Sequence, residues 1–317
     1  MIDSMSKVLS ILMPTHNRAD ILPIALKSFE SLSIPAGWHT EMVIVANACT
    51  DNTCDVLDEH IDKLPFPTRY VVEPVAGSSQ ARNRGVQEAR GEIFIFVDDD
   101  VLVSPNWLIG LINVFETTPA DFVGGPVKLW WHAIERPEWF TSDFDSLLAA
   151  KEHGTEVIEL DNPTAVITIN IAYRRKIFDQ VGGFRRDLER RGKGTGSYED
   201  VEFNTRALEA GMRLFYAPSA PVQHWVEPSR MSFSAMSKMI FYVGQARVFA
   251  KPSLNLKVIM RSVIGNASLV ILHLPLEGYY RIRGVESKAF AHRRLWVVGT
   301  GGFVGIAKRL LGRESGY

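Results

Sequence analysis

The chain has 317 residues, 46% hydrophobic and 22% charged, which suits one or two folded domains of ~100–200 residues and excludes collagen-like, coiled-coil and wholly disordered chains. Net charge is −1, but residues 1–228 carry 21 basic and 33 acidic groups whereas residues 229–317 carry 14 and 3, so the first part is too acidic to be a nucleic-acid binder. Cys49 and Cys54 form neither a disulfide framework nor a Cys-x-x-Cys pair, and a reduced, cytoplasmic setting is expected. Asp3 and Lys7 interrupt the N-terminal stretch, so no secretory leader is expected. No run of ~18 apolar residues occurs, and no conventional membrane span is expected.

The first hundred residues alternate strand and helix. Val8–Met13 is a short apolar run stopped by Pro14, the pattern of a buried parallel strand. Asp20 can cap a helix whose apolar positions are Ile21, Ile24, Phe29 and Leu32. Met42–Ala46 is a second strand, and Thr50 or Asp51 caps a helix carrying Val56, Leu57, Ile61 and Leu64. Tyr70–Val72 is a third strand. Ser78 opens a helix that Gly91 ends as a C′ glycine. Ile93–Val97 is a fourth strand running into Asp98-Asp99-Asp100. This alternation predicts a doubly wound, mostly parallel α/β sheet, with ligands beyond the carboxyl ends of its strands.

Further on, Asp121–Trp130 and Ala165–Tyr173 read as strands around an aromatic-rich loop with Trp130, Trp131, Trp139 and Phe140. Asp200–Ala210 reads as a helix closed by Gly211, and Arg213–Tyr216 as a strand. From Met231 the pattern is helical, with breaks at Pro252 and Pro275. Val263–Leu276 reads as too short to span a bilayer. Leu295–Leu311 mixes Trp296, Phe303 and Ile306 with glycines between Arg293-Arg294 and Lys308-Arg309, the composition of an interfacial segment. An anionic membrane surface is the expected partner of 229–317. A helical cap on the first domain, or a homodimer contact, is the alternative.

Three carboxylates at the end of an apolar strand repel one another, and each raises its neighbours' pKa. A divalent cation removes that penalty, and Mg²⁺ or Mn²⁺ prefers such oxygen ligands together with substrate phosphates. Asp98 and Asp100, two apart on extended chain, can face one side. A solvated acidic turn is the competing reading. Glu199-Asp200 follows a loop with Gly192, Gly194 and Gly196, and an acid there can cap a helix or act as a general base. Gly77 to Arg84 opens a helix with Gly and Ser suited to phosphate. Pro14 to Arg18 and Asn47 to Asp51 are polar strand-end loops that could hold a base and ribose. His224 is either a metal ligand or a hydrogen-bonded structural group.

Together these segments resemble the family 2 glycosyltransferases, in the family's order and spacing over roughly residues 8–225. The matching motifs are Pro14-Thr15-His16-Asn17-Arg18, Asn47 to Thr53, Ala81-Arg82-Asn83-Arg84-Gly85, Asp98-Asp99-Asp100, Val181-Gly182-Gly183-Phe184, Glu199-Asp200 and His224. The resemblance implies a GT-A fold over 1–228, with about 1–120 binding a nucleotide-sugar donor and 121–228 the acceptor, followed by a basic, largely helical extension, 229–317. It implies a metal-dependent hexosyltransferase acting with inversion. The acceptor would be a glycan or lipid-linked hydroxyl, and the setting cell-surface polysaccharide or glycolipid synthesis at the inner face of the cytoplasmic membrane.

By the same resemblance Asp98 and Asp100 form the DxD motif that binds Mn²⁺ or Mg²⁺ and the donor diphosphate, with Asp99 beside them and His224 as a further ligand. Asp200 matches the catalytic base. Pro14, Thr15, Asn17 and Arg18 match the first nucleotide-contacting loop, and Arg82 and Asn83 the residues beside ribose and phosphates. Where the family usually carries an acid at the end of the second strand, this chain has Ala46 then Asn47, so Asn47 and Asp51 are expected to share the nucleobase contact. Two other classes compete. A nucleotide-sugar-forming nucleotidyltransferase would prefer a Gly-rich loop after the first strand, and Pro14–Arg18 has no glycine. A non-catalytic sugar-binding relative would be expected to lose the carboxylates, and both clusters are intact.

Overall fold

The computed structural model describes residues 7–188, 198–249, 251 and 254–312. The chain forms two compact units, one from 1–130, 146–184 and 200–225, the other from 131–145, 185–199 and 226–317. The first unit begins with β1 (Lys7–Thr15), α1 (Leu22–Phe29), β2 (Trp38–Asn47), α2 (Thr53–His60), β3 (Thr68–Glu73), α3 (Ser78–Glu88) and β4 (Ile93–Val97). β5 (Val101–Val103), α4 (Trp107–Thr117), β6 (Phe122–Gly124), β7 (Val127–Trp130), β8 (Ile158–Leu160), β9 (Asn170–Arg174) and α5 (Arg175–Val181) follow. α6 (Glu199–Glu209), β10 (Leu214–Tyr216) and β11 (Val222–Trp225) complete the αβ elements.

Eight strands form one sheet in the order β3-β2-β1-β4-β9-β6-β10-β8, and β5-β11-β7 form a second. β1 pairs in parallel with both β2 and β4, so strand order reverses there and a crevice opens beyond Thr15 and Val97. The sheet is mixed, because β9 runs antiparallel to both β4 and β6. Period-2 alternation divides the apolar side chains of β4: Ile93, Ile95 and Val97 join one core layer, Phe94 and Phe96 the other. A strand buried on both faces has no polar position to spare, which is why its sequence is uniformly apolar.

Several sequence expectations are corrected. β1 runs on through Pro14, which pairs with Val45. Asp121–Trp130 is two strands, β6 and β7, interrupted at Gly125-Pro126. Of Ala165–Tyr173 only the end is strand; Ala165, Val166 and Ile169 are buried without joining the ladder. Gly91 is not a C′ glycine: α3 ends at Ala89 in extended conformation. A Cβ on Gly91 would stand 2.7 Å from the Ser10 amide nitrogen and 2.9 Å from the Val8 carbonyl oxygen, so glycine is needed for close approach to β1.

The second unit is helical: α7 (Phe233–Phe249), α8 (Leu256–Ile282) and α9 (Glu286–Leu310). The aromatic loop belongs to it, since Trp139 and Phe144 lie 4.7 and 4.9 Å from Phe290, ring to ring. Pro275 does not break α8. Pro275 and Ile271, whose carbonyl loses its partner, both face outward, where the ring meets no neighbouring helix. The resulting 27-residue helix is long and apolar enough to cross a membrane, correcting the expectation that no segment here reaches that length. Pro252 lies outside the described residues.

Candidate active site

The sheet places three loops around the crevice. After β1, Asn17 adopts a left-handed conformation (φ 52°) that turns its amide onto the loop following β2. Its Oδ1 accepts from the Thr50 and Asp51 amides at 2.7 and 3.3 Å. Asp51 in turn accepts from the Ala19 amide at 3.2 Å and the Thr53 hydroxyl at 2.5 Å. Burial raises the Asp51 pKa, but these hydrogen bonds outweigh it and hold the carboxyl below its usual value. The Asn47 side chain accepts from the Gly77 amide at 2.9 Å and donates to the Glu73 and Val75 carbonyls at 3.2 and 2.7 Å. It thereby ties β2 to the turn that opens α3, where Gly77 sits at φ 152°. Thr15 is buried at the end of β1.

Arg18 reaches across to the acidic run, its Nη2 3.1 Å from Asp100 Oδ2 and its Nε 3.5 Å from Asp99 Oδ1. Arg82, buried on α3, meets Asp98 at 3.3 Å. The Asp99 carboxyl is pushed up to about 7, by burial first, with Arg18 opposing and Asp100 and Asp98 adding to the rise.

His224 enters from β11, which pairs antiparallel with β5 in the register His224 to Val101. The Trp225 amide donates to the Asp100 carbonyl at 2.9 Å. His224 Nδ1 lies 3.1 Å from the Leu148 carbonyl, which can only accept, so Nδ1 carries the proton. Nε2 faces Asp100 Oδ1, 3.5 Å away. That oxygen is buried and has no hydrogen-bond partner. A buried carboxylate oxygen without a hydrogen-bond partner beside an imidazole nitrogen can hold a cation, and a histidine that donates its second N–H to a backbone carbonyl is oriented as metal-ligating imidazoles are. Among the described residues no cluster of three His, Cys, Asp or Glu side chains forms a closed cage. An open pair suits Mg²⁺ or Mn²⁺, whose remaining positions are filled by water and substrate phosphate.

Two of the residues named from sequence are tied elsewhere by their side chains. Asn83 donates to the Phe184 carbonyl at 2.8 Å and accepts from the Phe184 amide at 2.9 Å, clamping the Gly182-Gly183-Phe184 segment onto α3. Asn47 is used within its loops as described above. Asp200, on the first turn of α6, lies within electrostatic reach of two residues that sequence reading missed. Burial lowers the Lys151 pKa and the Asp200 charge opposes that fall. Burial lifts the Tyr173 hydroxyl well above its ordinary value, with Asp200 adding and Arg82 opposing. Tyr173 thus senses both Asp200 and the arginine that holds Asp98. No local pattern marks Lys151, which is distant from every motif in the chain. Gly192, Gly194 and Gly196 lie outside the described residues.

The sequence profile described as glycosyl transferase family 2 matches residues 10–182. The succinoglycan biosynthesis protein ExoM of Rhizobium meliloti is 29% identical over 232 residues, 73% of this chain and 71% of that protein. Among solved structures, the mannosyltransferase PcManGT from Pyrobaculum calidifontis in complex with GDP-Man and Mn²⁺ is similar with a TM-score of 0.63 at 17% identity, over 96% of this chain and 88% of that one. GalNAc-T7 with UDP, GalNAc and Mn²⁺ has a TM-score of 0.56 at 17% identity over 80% of this chain, which spans about half, 52%, of that protein. These two likenesses concern the fold, which is GT-A with a helical C-terminal region.

Proposed function

Because the chain belongs to glycosyl transferase family 2, we propose that it is a metal-dependent, inverting enzyme that moves a hexose-type sugar from a nucleoside-diphosphate donor to a hydroxyl of a glycan or lipid-linked acceptor. The observation that supports this most is the buried Asp100 Oδ1, which has no hydrogen-bond partner and faces His224 Nε2 at the switch point of the sheet. Asp98, Asp100 and His224 would hold Mn²⁺ or Mg²⁺. When bound, the ion supplies Lewis-acid stabilisation of the charge that develops on the departing diphosphate.

The protein's own residues do the rest. Arg18 and Arg82 keep the carboxylates in place and limit their mutual repulsion. The loops of Asn17, Asn47 and Asp51 shape the floor for base and ribose. Asp200 accepts the proton of the acceptor hydroxyl while that oxygen attacks the anomeric carbon, and the nucleoside diphosphate leaves with the bonding electron pair from the opposite face. A single displacement with a single base inverts the configuration, whereas a double displacement would need a carboxylate nucleophile. The similarity to ExoM, a succinoglycan biosynthesis protein, supports a role in polysaccharide or glycolipid production, at the inner face of the cytoplasmic membrane if the acceptor is lipid-linked.

The test is a thermal-unfolding panel of UDP, GDP, dTDP and CMP with and without Mn²⁺. A cognate nucleotide at a hundred times its Kd should add ~2.7 kcal/mol of stability. It should do so only with the metal present. Stabilisation indifferent to Mn²⁺ would remove metal dependence from the proposal.

A further inference from the structure

The helical unit contains a cavity of about 480 Å³ between α7, α8 and α9. Its polar lining comes from Arg247, Lys251, Ser262, Asn266 and Ser268. Glycines keep the space open: a Cβ on Gly302 would stand 2.4 Å from Asn266 Nδ2. Lys251 Nζ donates to the Ser262 hydroxyl at 2.6 Å, and that hydroxyl donates on to the Val258 carbonyl at 2.7 Å. The ammonium therefore meets a neutral oxygen. Among the described residues no carboxylate lines the cavity. The acid of α8, Glu277, is held by Arg293 at 2.7 Å, Arg281 at 3.1 Å and the Trp296 indole at 2.6 Å. A guanidinium and an ammonium that share a cavity with the Asn266 amide, and with no carboxylate among the described residues, form a site for an external anion, and Arg and Lys are the usual phosphate binders.

The surface of the same helix says what carries that anion. Leu256, Met260, Ile264, Ile271, Pro275 and Ile282 fall on one side of α8 at helical spacing. Leu256, Ile271 and Ile282 are 73, 70 and 88% exposed. The stripe runs the full 27 residues, about 40 Å at 1.5 Å per residue. Lys257 and Arg261 stand exposed beside it. A second copy of this chain seated on the stripe would bring these like charges together. An anionic bilayer offers apolar contact and opposite charge at once.

We propose that the cavity binds the phosphate of an anionic membrane lipid, with the outer face of α8 lying in the boundary between headgroups and acyl chains. The proposal does not depend on the transfer chemistry.

It is tested with the full chain and vesicles of phosphatidylcholine with and without phosphatidylglycerol. Two charge-matched variants are compared: Arg247→Gln/Lys251→Gln in the cavity and Lys257→Gln/Arg261→Gln outside it. A diffuse basic surface loses the same factor from either pair, because each near-surface cation contributes about fivefold. Direct charge-assisted hydrogen bonds to phosphate should make the cavity pair at least about tenfold more damaging. Arg247→Lys/Lys251→Arg, which keeps both charges, should retain binding and shows that the cavity tolerates substitution. Equal losses from the two glutamine variants overturn the cavity. Displacement from vesicles by an equal concentration of inorganic phosphate makes it a free-phosphate site and overturns the lipid. No vesicle binding, with a dimeric mass by light scattering, assigns the stripe to a second copy and likewise overturns the proposal.

Discussion

His224 Nε2 and Asp100 Oδ1 face each other across 3.5 Å, and that carboxylate oxygen is buried without a hydrogen-bond partner. The separation exceeds the ~2.7–2.9 Å of a charged N–H···O⁻ bond, and the other ring nitrogen is turned to the Leu148 carbonyl. Removing either side should abolish the attraction for a cation without disturbing the strands that carry it. Asp100→Asn and His224→Ala are each expected to weaken Mn²⁺-dependent nucleotide binding by more than the ~10–100-fold typical of residues that merely support a ligand. Calorimetric titration of UDP or GDP with and without EDTA checks this. Tight binding that ignores both substitutions would show that the pair is structural.

Asp200→Asn separates binding from chemistry. The amide oxygen can still accept from the Val201 amide, 2.7 Å away in the native protein, but it cannot take up the acceptor's proton. Turnover should fall ~10²–10⁴-fold while the nucleotide Kd is retained. Near-normal turnover would leave Asp200 as a cap at the start of α6.

Asn83 should behave as a clamp. Its amide is engaged at both ends by the backbone of Phe184, so Asn83→Ala strands one donor and one acceptor, at a cost of about 1–3 kcal/mol. A lowered Tm with donor affinity retained at temperatures where the variant is folded is the expected outcome. An unchanged Tm with weakened donor binding would return Asn83 to the set that touches the ribose or phosphates.

The strand β4 was readable because a doubly buried strand leaves a continuous apolar signature, and the acids that follow it are visible by contrast. The direction of β9 was not readable. Asn170 to Arg174 carries the same local signal whichever way it runs, and antiparallel pairing with β4 and β6 is decided only in the sheet. Gly91 was misread for a related reason. A glycine after a helix ordinarily serves a left-handed turn, but here the constraint is the backbone of β1, far away in sequence. Pro275 misled because proline in a helix interior usually kinks or breaks it, whereas here the helix runs on and the Ile271 carbonyl left without a partner lies on an exposed face. His224 could be named from resemblance, but the orientation of its ring needed the Leu148 carbonyl, which no motif contains.

Glu41 supplies a pH-dependent contribution at the opposite end of the sheet. Burial raises its pKa, but Arg69 at 2.8 Å, the Arg90 amide at 2.7 Å and the Ser10 hydroxyl at 2.7 Å outweigh that and bring it below the usual 4.5. A depressed carboxylate contributes stability that is complete above its unfolded value and is lost as pH falls through the folded one. Glu41→Gln should therefore be less stable than the native chain by about 1–3 kcal/mol near neutrality. The gap should close in acid, as urea unfolding at neutral and acidic pH can measure. A gap that persists in acid would attribute the effect to packing.

The ladder between β5 and β11 also governs the order in which a newly made chain gains competence. Asp100 emerges from the ribosome with the fourth strand of the main sheet, but the imidazole that faces it lies at 224, in a strand that pairs directly beside Asp100. A nascent chain that has folded β1 to β4 already has its acidic run, yet it cannot bring His224 to Asp100 until translation has passed Trp225, whose amide pins the Asp100 carbonyl. Half-made protein therefore lacks the juxtaposition of these two residues, and the site proposed for the cation takes shape only when the αβ unit is complete.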